Sequence, residues 1–134
     1  MYSLGVKYPN YIFHDCFVDK ISLDGSQIIF FFNRGLYVFN GIDDYDYKKG
    51  KLVIECERSQ QSFDGNISVY EFVRDKRKRI DIRKFMSSLN KNGFKIYMDF
   101  YSDFGNALYI QGELNDIETE LTITEIKNLS IVLD

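Results

Sequence analysis

The chain has 134 residues, a length that fits one domain spanning 1–134 better than two. Hydrophobic residues make up 45% and charged residues 28%, with a net charge of −3, a globular balance that excludes disorder of the whole chain. Twelve Phe and ten Tyr favour strands, because aromatic side chains pack well on pleated sheets, and a single Ala argues against a helical bundle.

The N-terminus and the longest apolar run bear on localisation. The first residues hold no long apolar stretch and no small-residue cleavage site, and the run 28–32 is far too short to span a bilayer. We therefore expect a cytoplasmic protein with no membrane partner, in which Cys16 and Cys56 are reduced and buried. A disulfide between these cysteines is the less favoured alternative.

In chain order, the first half alternates between apolar and polar residues, which is typical of half-buried strands. An Asp–Gly pair follows the first strand, so the first two strands are predicted to form a β-hairpin. The predicted strands lie at 16–23, 27–33, 36–40, 51–57 and 67–73, with turns at 24–26, 33–35 and 59–66 and a polar loop at 41–50.

One segment has helical spacing. Its four apolar residues fall on one helical face: Ile82, Phe85, Met86 and Leu89. Asp81 is placed to cap the N-terminus, and Gly93 supplies a stop. The spacing predicts a helix over 82–91, which is too short to be stable without packing on a sheet.

The last third of the chain returns to alternating strands. The pattern places Ile96, Met98 and Phe100 on one face, and Gln111 followed by Gly112 favours a β-bulge. The predicted fold class is α+β, mainly antiparallel β in about eight or nine strands with the helix packed against them. A curled sheet, a sandwich and a partial barrel all fit this pattern.

The tripeptide His14–Asp15–Cys16 combines a general base, a carboxylate and a thiol, all of which also bind metals. His14 is the only histidine, and adjacent strand residues point to opposite faces, so one ion cannot easily be shared. A Cys–His nucleophile pair remains an alternative. The favoured interpretation is that Cys16 is a core residue and that His14 and Asp15 hydrogen-bond to the backbone.

An acidic, tyrosine-rich segment lies inside the predicted loop 41–50. Its residues are Asp43, Asp44, Tyr45, Asp46 and Tyr47. Tyrosines are enriched in protein interfaces, and flanking carboxylates suit a basic partner, so we predict partner contacts here. Calcium binding lacks the required ligand spacing, and a simple solvated loop is the alternative.

A basic run follows the strand at 67–73. Its seven cations are Arg74, Lys76, Arg77, Lys78, Arg79, Arg83 and Lys84. The run could contact phosphates or an acidic protein surface, and a solvated face is the favoured interpretation. Nucleic acid is a less expected partner, because the chain is net acidic and no recognition motif is present. No metal, cofactor or catalytic motif is predicted.

The first hairpin carries a resemblance. The sequence from His14 to Ile21, the turn Asp24–Gly25–Ser26 and the apolar run after it resemble a group of small bacterial β-rich domains that open with a His–Asp strand. The segment 108–113 and the last strand fit that layout. Some members look like immunity proteins that neutralise toxins of polymorphic or contact-dependent systems. The resemblance implies no site residues.

The expected function is therefore non-catalytic protein binding, in the form of a toxin-neutralising immunity protein. One alternative is an enzyme acting on a small molecule or using a metal, with carboxylates or His14 converging in the sheet concavity. Another is a structural or phage-derived assembly protein, which self-association would favour.

Overall fold

The computed structural model describes residues 11–39, 45–57, 66–102 and 106–134. These residues form eleven strands and one helix, in the order β1 (Tyr11–Ile12), β2 (Phe17–Val18), β3 (Lys20–Asp24), β4 (Gln27–Phe39), β5 (Tyr45–Cys56), β6 (Ile67–Val73), β7 (Lys76–Ile80), α1 (Ile82–Asn92), β8 (Phe94–Ser102), β9 (Ala107–Leu114), β10 (Ile117–Ile123) and β11 (Ile126–Leu133).

The strands form two antiparallel sheets. The first sheet has the order β1-β4-β5-β11, with β3 also paired to β4, and the second has the order β2-β8-β9-β10-β6-β7. Neither sheet closes into a barrel within the described ranges. The predicted α+β class, with mainly antiparallel strands and a single helix, is confirmed. The described residues form more strands than the eight or nine predicted, because the predicted strand at 16–23 is divided into β2 and β3 and because β1 and β7 were not predicted.

The core lies between the inner faces of the two sheets and α1. Its largest fully buried side chains include Phe30 and Phe32 from the first sheet, Phe94 from the second and Phe85 from the helix. The rings of Phe85 and Phe94 meet edge to face, with centroids 5.7 Å apart. Burial of apolar area at ~25 cal/mol per Å² makes this single core the main source of stability.

Helix α1 ends where the sequence predicted. The Asp81 side chain accepts a hydrogen bond from the backbone N–H of Arg83 at 2.8 Å, and Gly93 has a φ of 78° and donates to Leu89. The bond from Arg83 N–H also lowers the pKa of Asp81. The helix contacts β3 of the first sheet and both β6 and β9 of the second, so it packs against both layers.

The predicted first strand at 16–23 is two strands in different sheets. Phe17 and Val18 pair with β8 of the second sheet, whereas the residues from Lys20 onward pair with β4 of the first. Between them, Asp19 accepts hydrogen bonds from the backbone N–H and from Nε of Arg34, at 3.0 and 2.7 Å. The polar residue at position 19 therefore marks the point where the chain changes sheets.

The turn predicted at 33–35 is wrong. Strand β4 continues through these residues, and its register against β5 shifts between Phe32 and Leu36. Gly35 has a φ of 115°, which absorbs the irregularity without reversing the chain. The same pairing corrects the loop at 41–50, because residues from Tyr45 onward belong to β5. The predicted turn at 59–66 lies largely outside the described residues.

Candidate functional site

The second sheet turns one face to the core and the other away from it. We call the side directed away from the core the outer face. Directly paired residues share a face, so the register assigns three rows to it. The first row holds Phe17, Lys95, Glu113, Glu118, Phe72 and Arg77. The second holds Met98, Gln111, Glu120, Tyr70 and Arg79, and the third Phe100, Tyr109, Thr122 and Ser68.

A β-bulge puts Met98 and Phe100 on the outer face. The register of β8 against β9 shifts between Ile96 and Met98, opposite Gly112. A side chain at Gly112 would overlap the carbonyl oxygen of Lys95, so only glycine permits this close approach. The predicted shared face of Ile96, Met98 and Phe100 is therefore wrong. Ile96 is buried, and the extra residue of the bulge reverses the alternation that follows it.

The outer face leaves two large apolar side chains open to solvent. Phe100 is 62% exposed and Met98 is 49% exposed. Phe100 lies directly opposite Tyr109, and Met98 lies opposite Gln111. Aromatic side chains and Met are enriched in protein interfaces, and an aromatic ring brings a large contact area on few rotatable bonds. These residues therefore form an apolar strip along one side of the outer face.

Glutamates on the two central strands lie beside this strip. The hydroxyl of Tyr109 donates to Glu120 at 2.5 Å, and the side-chain amide of Gln111 donates to Glu118 at 2.5 Å. Partial burial and the Glu120 carboxylate raise the pKa of Tyr109 to about 12, so its proton stays in this bond at neutral pH. The carboxylates are thus held in fixed positions by neighbours on the same face.

Glu113 adds a third carboxylate to the outer face, beside those of Glu118 and Glu120. Its carboxylate accepts a hydrogen bond from the hydroxyl of Tyr97, the extra residue of the bulge. A side-chain hydrogen bond with Asp116 raises the pKa of Glu113, and burial adds to this effect. Asp116 lies in the turn between β9 and β10 with a φ of 61°. The bulge and the turn together position negative charge at this end of the outer face.

Cations lie at the two edges of the outer face. The guanidinium of Arg77 stands 3.7 Å from the ring centroid of Tyr70, and its Nε is 3.5 Å from Glu120. At the opposite side, Lys95 lies 4.0 Å from Asp15 and 5.9 Å from the centroid of Tyr97. The outer face is therefore acidic at its centre and basic at its margins.

The acidic, tyrosine-rich segment predicted to bind a partner lies on the first sheet. Tyr45, Asp46 and Tyr47 are exposed on β5, whereas Asp43 and Asp44 fall outside the described residues. The ring of Tyr47 contacts that of Tyr37 on β4, with centroids 4.9 Å apart. A Cβ at position 35 would lie 2.5 Å from the Tyr47 ring, so this ring covers the Gly35 backbone.

This packing gives Tyr47 a structural contact as well as an exposed surface. The side chain is 50% exposed, and partial burial raises its pKa. An aromatic ring laid over a strand glycine protects the backbone at that point. The structure does not bring this segment and the outer face onto one surface, because they belong to different sheets.

The seven cations of the basic run are divided between three elements. Arg74 lies in a turn with a φ of 53°, four cations lie on the edge strand β7, and Arg83 and Lys84 lie on α1. All seven are exposed, as the solvated interpretation requires. Charges on an edge strand discourage pairing with other chains, which is one reason for so many cations on β7. Strand β7 itself was not predicted.

His14, Asp15 and Cys16 do not form a reactive group. The imidazole is exposed, with Nδ1 bonded to the carbonyl oxygen of Tyr97 and Nε2 3.3 Å from Asp15. Asp15 lies in a turn with a φ of 63°, so the pair precedes β2 and does not begin a strand. Burial raises the pKa of Cys16 to about 11, so its thiol is protonated at neutral pH and is a weak nucleophile.

The second cysteine is equally unreactive. Cys56 is buried and not disulfide-bonded, and burial raises its pKa to about 11 as well. In the described ranges, no three His, Cys, Asp or Glu side chains are arranged to hold a metal ion. The helix of these ranges is too short and too polar to cross a membrane.

Comparison with protein-family models, curated proteins and solved structures found no match to this chain.

One feature of the outer face was predictable in part from the sequence. The bulge was predicted at Gln111 and Gly112, and the structure has it at that level of the sheet. The prediction missed that the extra residue belongs to the partner strand, at Tyr97. A bulge placed at Tyr97 in the predicted strand would have put Phe100 on the outer face, opposite Tyr109.

Proposed function

We propose that this protein is a non-catalytic protein-binding domain and that the outer face is its main contact surface. The observation that carries the proposal is the exposure of Phe100 and Met98 beside glutamates fixed by Tyr109 and Gln111. Apolar anchors that gain most from burial, surrounded by polar groups in set positions, are the arrangement found at binding hot spots.

The charges of the outer face indicate the kind of partner. Exposed aromatic rings with nearby arginines could also stack on nucleic-acid bases. However, Glu113, Glu118 and Glu120 occupy the two central strands, where they would repel a phosphate backbone. A protein surface that presents lysine or arginine opposite these glutamates, and an apolar pocket opposite Phe100, satisfies both features.

The acidic, tyrosine-rich segment is a second proposed contact. Tyr45, Asp46 and Tyr47 offer exposed rings and a carboxylate on the first sheet, and the sequence adds Asp43 and Asp44. Replacing all five with Ala or Ser should weaken binding to the partner markedly. Since Tyr47 also covers Gly35, a Tyr47→Phe variant should be measured beside it, because this variant keeps the ring packing. An unchanged dissociation constant for the fivefold variant would remove the segment from the interface.

Affinity capture tests the outer face. Immobilised wild-type protein and a Met98→Ser, Phe100→Ser variant are exposed to lysate of the source cell, and retained proteins are quantified by mass spectrometry. We expect one protein to be retained by the wild type and lost by the variant, since an interface hot spot contributes about 2 kcal/mol or more. Val132→Ser is the matched control, because Val132 is 41% exposed on the first sheet.

The control also defines the contrary result. If every protein retained by the wild type is also retained by the double variant, the outer face is not the contact surface. Size-exclusion chromatography of the purified protein separates this proposal from the assembly alternative, which requires self-association.

Neutralisation of a toxin is the narrower form of this proposal, and the resemblance of the first hairpin supports it. The test is to express the protein encoded next to this chain, alone and with it, and to follow growth. Growth arrest that the wild type relieves, and that the Met98→Ser, Phe100→Ser variant relieves less well, would support an immunity role. A neighbour that is harmless when expressed alone would contradict it.

A further inference from the structure

A cleft runs between α1 and the turn that joins β9 to β10. It has two adjoining parts that share Lys84, Ser88 and Asn115. The inner part has a volume of about 230 Å³ and the outer part about 390 Å³. We call the two together the α1 cleft. It lies between the helix and the second sheet, away from the outer face.

The inner part of the α1 cleft is largely apolar. Its apolar lining comes from four elements or their ends: Ile80, Phe85, Leu114 and Ile117. An apolar cavity of about 150 Å³ is large enough to take up benzene, so this part has room for a group of that size. Glu71 also lines it, and this residue lies in cross-strand register with Lys78 of β7.

The outer part of the α1 cleft is polar and cationic. Lys84 and Lys91 are seven residues apart and therefore lie on one side of the helix, with Ser87 and Ser88 between them. Asn92 and Asn115 complete the lining. Neither lysine forms an ion pair with another residue of the described ranges. Glu71 lines only the inner part, so no carboxylate lies among the residues that line the outer part.

We propose that the α1 cleft binds a small molecule that joins an apolar group to a carboxylate, with the apolar group beside Phe85 and the carboxylate at Lys84 and Lys91. Charge complementarity selects an anion, and the apolar inner part selects one with a hydrocarbon end. Hydroxyl and amide groups of Ser87, Ser88 and Asn115 are within the same lining and can donate to carboxylate oxygens. This site is independent of the protein-binding proposal.

Hydrocinnamate is a suitable probe, because its phenyl ring matches the inner part and its carboxylate matches the lysines. In two-dimensional amide NMR of the full chain, we expect saturable shifts at Lys84, Ser88 and Asn115, with a dissociation constant in the millimolar range. Hydrocinnamyl alcohol lacks the charge and propionate lacks the ring. Each should bind about tenfold more weakly than hydrocinnamate, because each omits one half of the recognition.

Two variants of adjacent cations make the test specific. Lys84→Gln should weaken hydrocinnamate binding by about two- to fivefold, as expected for the loss of one exposed charge contact, and should leave binding of the alcohol unchanged. Arg83→Gln removes the same net charge from the neighbouring position, where the side chain pairs with Asp81 and does not line the cleft, so binding should be unaffected. Both substitutions are on the helix surface and should leave the amide spectrum otherwise intact.

The proposal is overturned if hydrocinnamate causes no saturable shifts, or if the shifts map to the outer face around Phe100. Equal affinity for hydrocinnamate and its alcohol, or equal weakening by Lys84→Gln and Arg83→Gln, would also overturn it, because the charge would then act non-specifically.

Discussion

The two sheets each present a phenylalanine on the side away from the core, and the two rings have different surroundings. Phe31 of the first sheet lies between Lys20 and Lys51 in cross-strand register, and their ammonium groups are 5.6 and 6.0 Å from its ring centroid. Phe100 of the second sheet is 62% exposed, and its directly opposed neighbour is Tyr109. One ring is covered by flexible cationic side chains, and the other is open.

This difference indicates different roles for the two surfaces. Lysine stems pack along apolar groups while the charge stays in water. The Phe31 ring is therefore covered by side chains of its own sheet and needs no partner protein to bury it. On the second sheet, Glu118 accepts a hydrogen bond from Gln111 and Glu120 accepts one from Tyr109, and neither glutamate covers Phe100. The open ring is available to a partner at no cost of displacing a neighbour.

The largest effect should come from removing the bulge that creates the difference. Gly112→Ala places a methyl group against the Lys95 carbonyl and the Phe94 ring, so β8 must move or shift register. We expect a loss of about 2 to 3 kcal/mol in the free energy of unfolding, the usual cost of overpacking at a site that cannot relax. Urea denaturation measures it.

Gly25→Asn is the matched control for this loss. Gly25 has a φ of 59° and open space around its Cβ position, and Asn tolerates that backbone conformation. The control should cost less than about 1 kcal/mol. Equal losses for the two variants would mean that the close approach at Gly112 does not hold β8 in place.

The two phenylalanines can be compared directly by replacing each with serine. Phe31→Ser removes a ring that lies between neighbours in the two adjacent strands β3 and β5, so we expect a loss of about 1 kcal/mol of stability. Phe100→Ser should change stability by less than about 0.5 kcal/mol, because the exposed ring gains little from folding. Partner binding should show the opposite order. If Phe100→Ser is the more destabilising of the two, Phe100 has a role in the fold and not in recognition.

Much of this fold follows from local sequence signals. The helix, its Asp81 cap and its Gly93 stop were predicted because each depends on residues within one turn of the helix. Strand β6 was predicted with its correct ends, since its alternation is regular. The turn at Asp24 and Gly25 was also confirmed, as Gly25 has the positive φ that such a turn requires.

The errors share a physical cause, which is that they depend on pairing between distant strands. The segment 33–35 has residues typical of a turn, but long-range pairing with β5 keeps β4 extended there. The chain passes from one sheet to the other at Asp19, where Asp19 accepts hydrogen bonds from the distant Arg34. The exposed side of Phe100 depends on how β8 meets Gly112 of another strand. The candidate site was therefore less predictable than the fold class.

A smaller effect should follow from uncovering Phe31. The double variant Lys20→Ser, Lys51→Ser removes both cations from its ring, which are worth about 0.5 kcal/mol each at an exposed site. The variant should lose no more than about 1 kcal/mol of stability in urea denaturation, and the first sheet should then resemble the second in presenting an open ring. Lys48→Ser, Lys49→Ser removes the same net charge from the exposed part of β5, away from this ring, and is the control. Equal stability loss in both pairs would show that charge alone, and not ring coverage, sets the effect.

The smallest effect concerns Asp99, which the bulge turns toward the core between Met98 and Phe100. Desolvation by burial raises the pKa of this carboxyl above its ordinary value, and the charge of His14 partly opposes the rise. The folded state therefore favours the protonated form. As the pH rises through the ordinary carboxyl range, the unfolded chain releases its proton first. The folded state therefore loses stability until the pH exceeds the raised pKa, and above that pH the loss is constant.

Asp99→Asn removes this pH-dependent loss of stability. The variant should therefore be more stable than the wild type at neutral pH, and this advantage should fade below the ordinary carboxyl range. Urea midpoints of both proteins at the two pH values measure this. Asp46→Asn, which removes an exposed carboxylate on β5, is the control. An advantage of Asp99→Asn that stays constant with pH would mean that Asp99 is not desolvated, and that the strand beyond the bulge does not turn it inward.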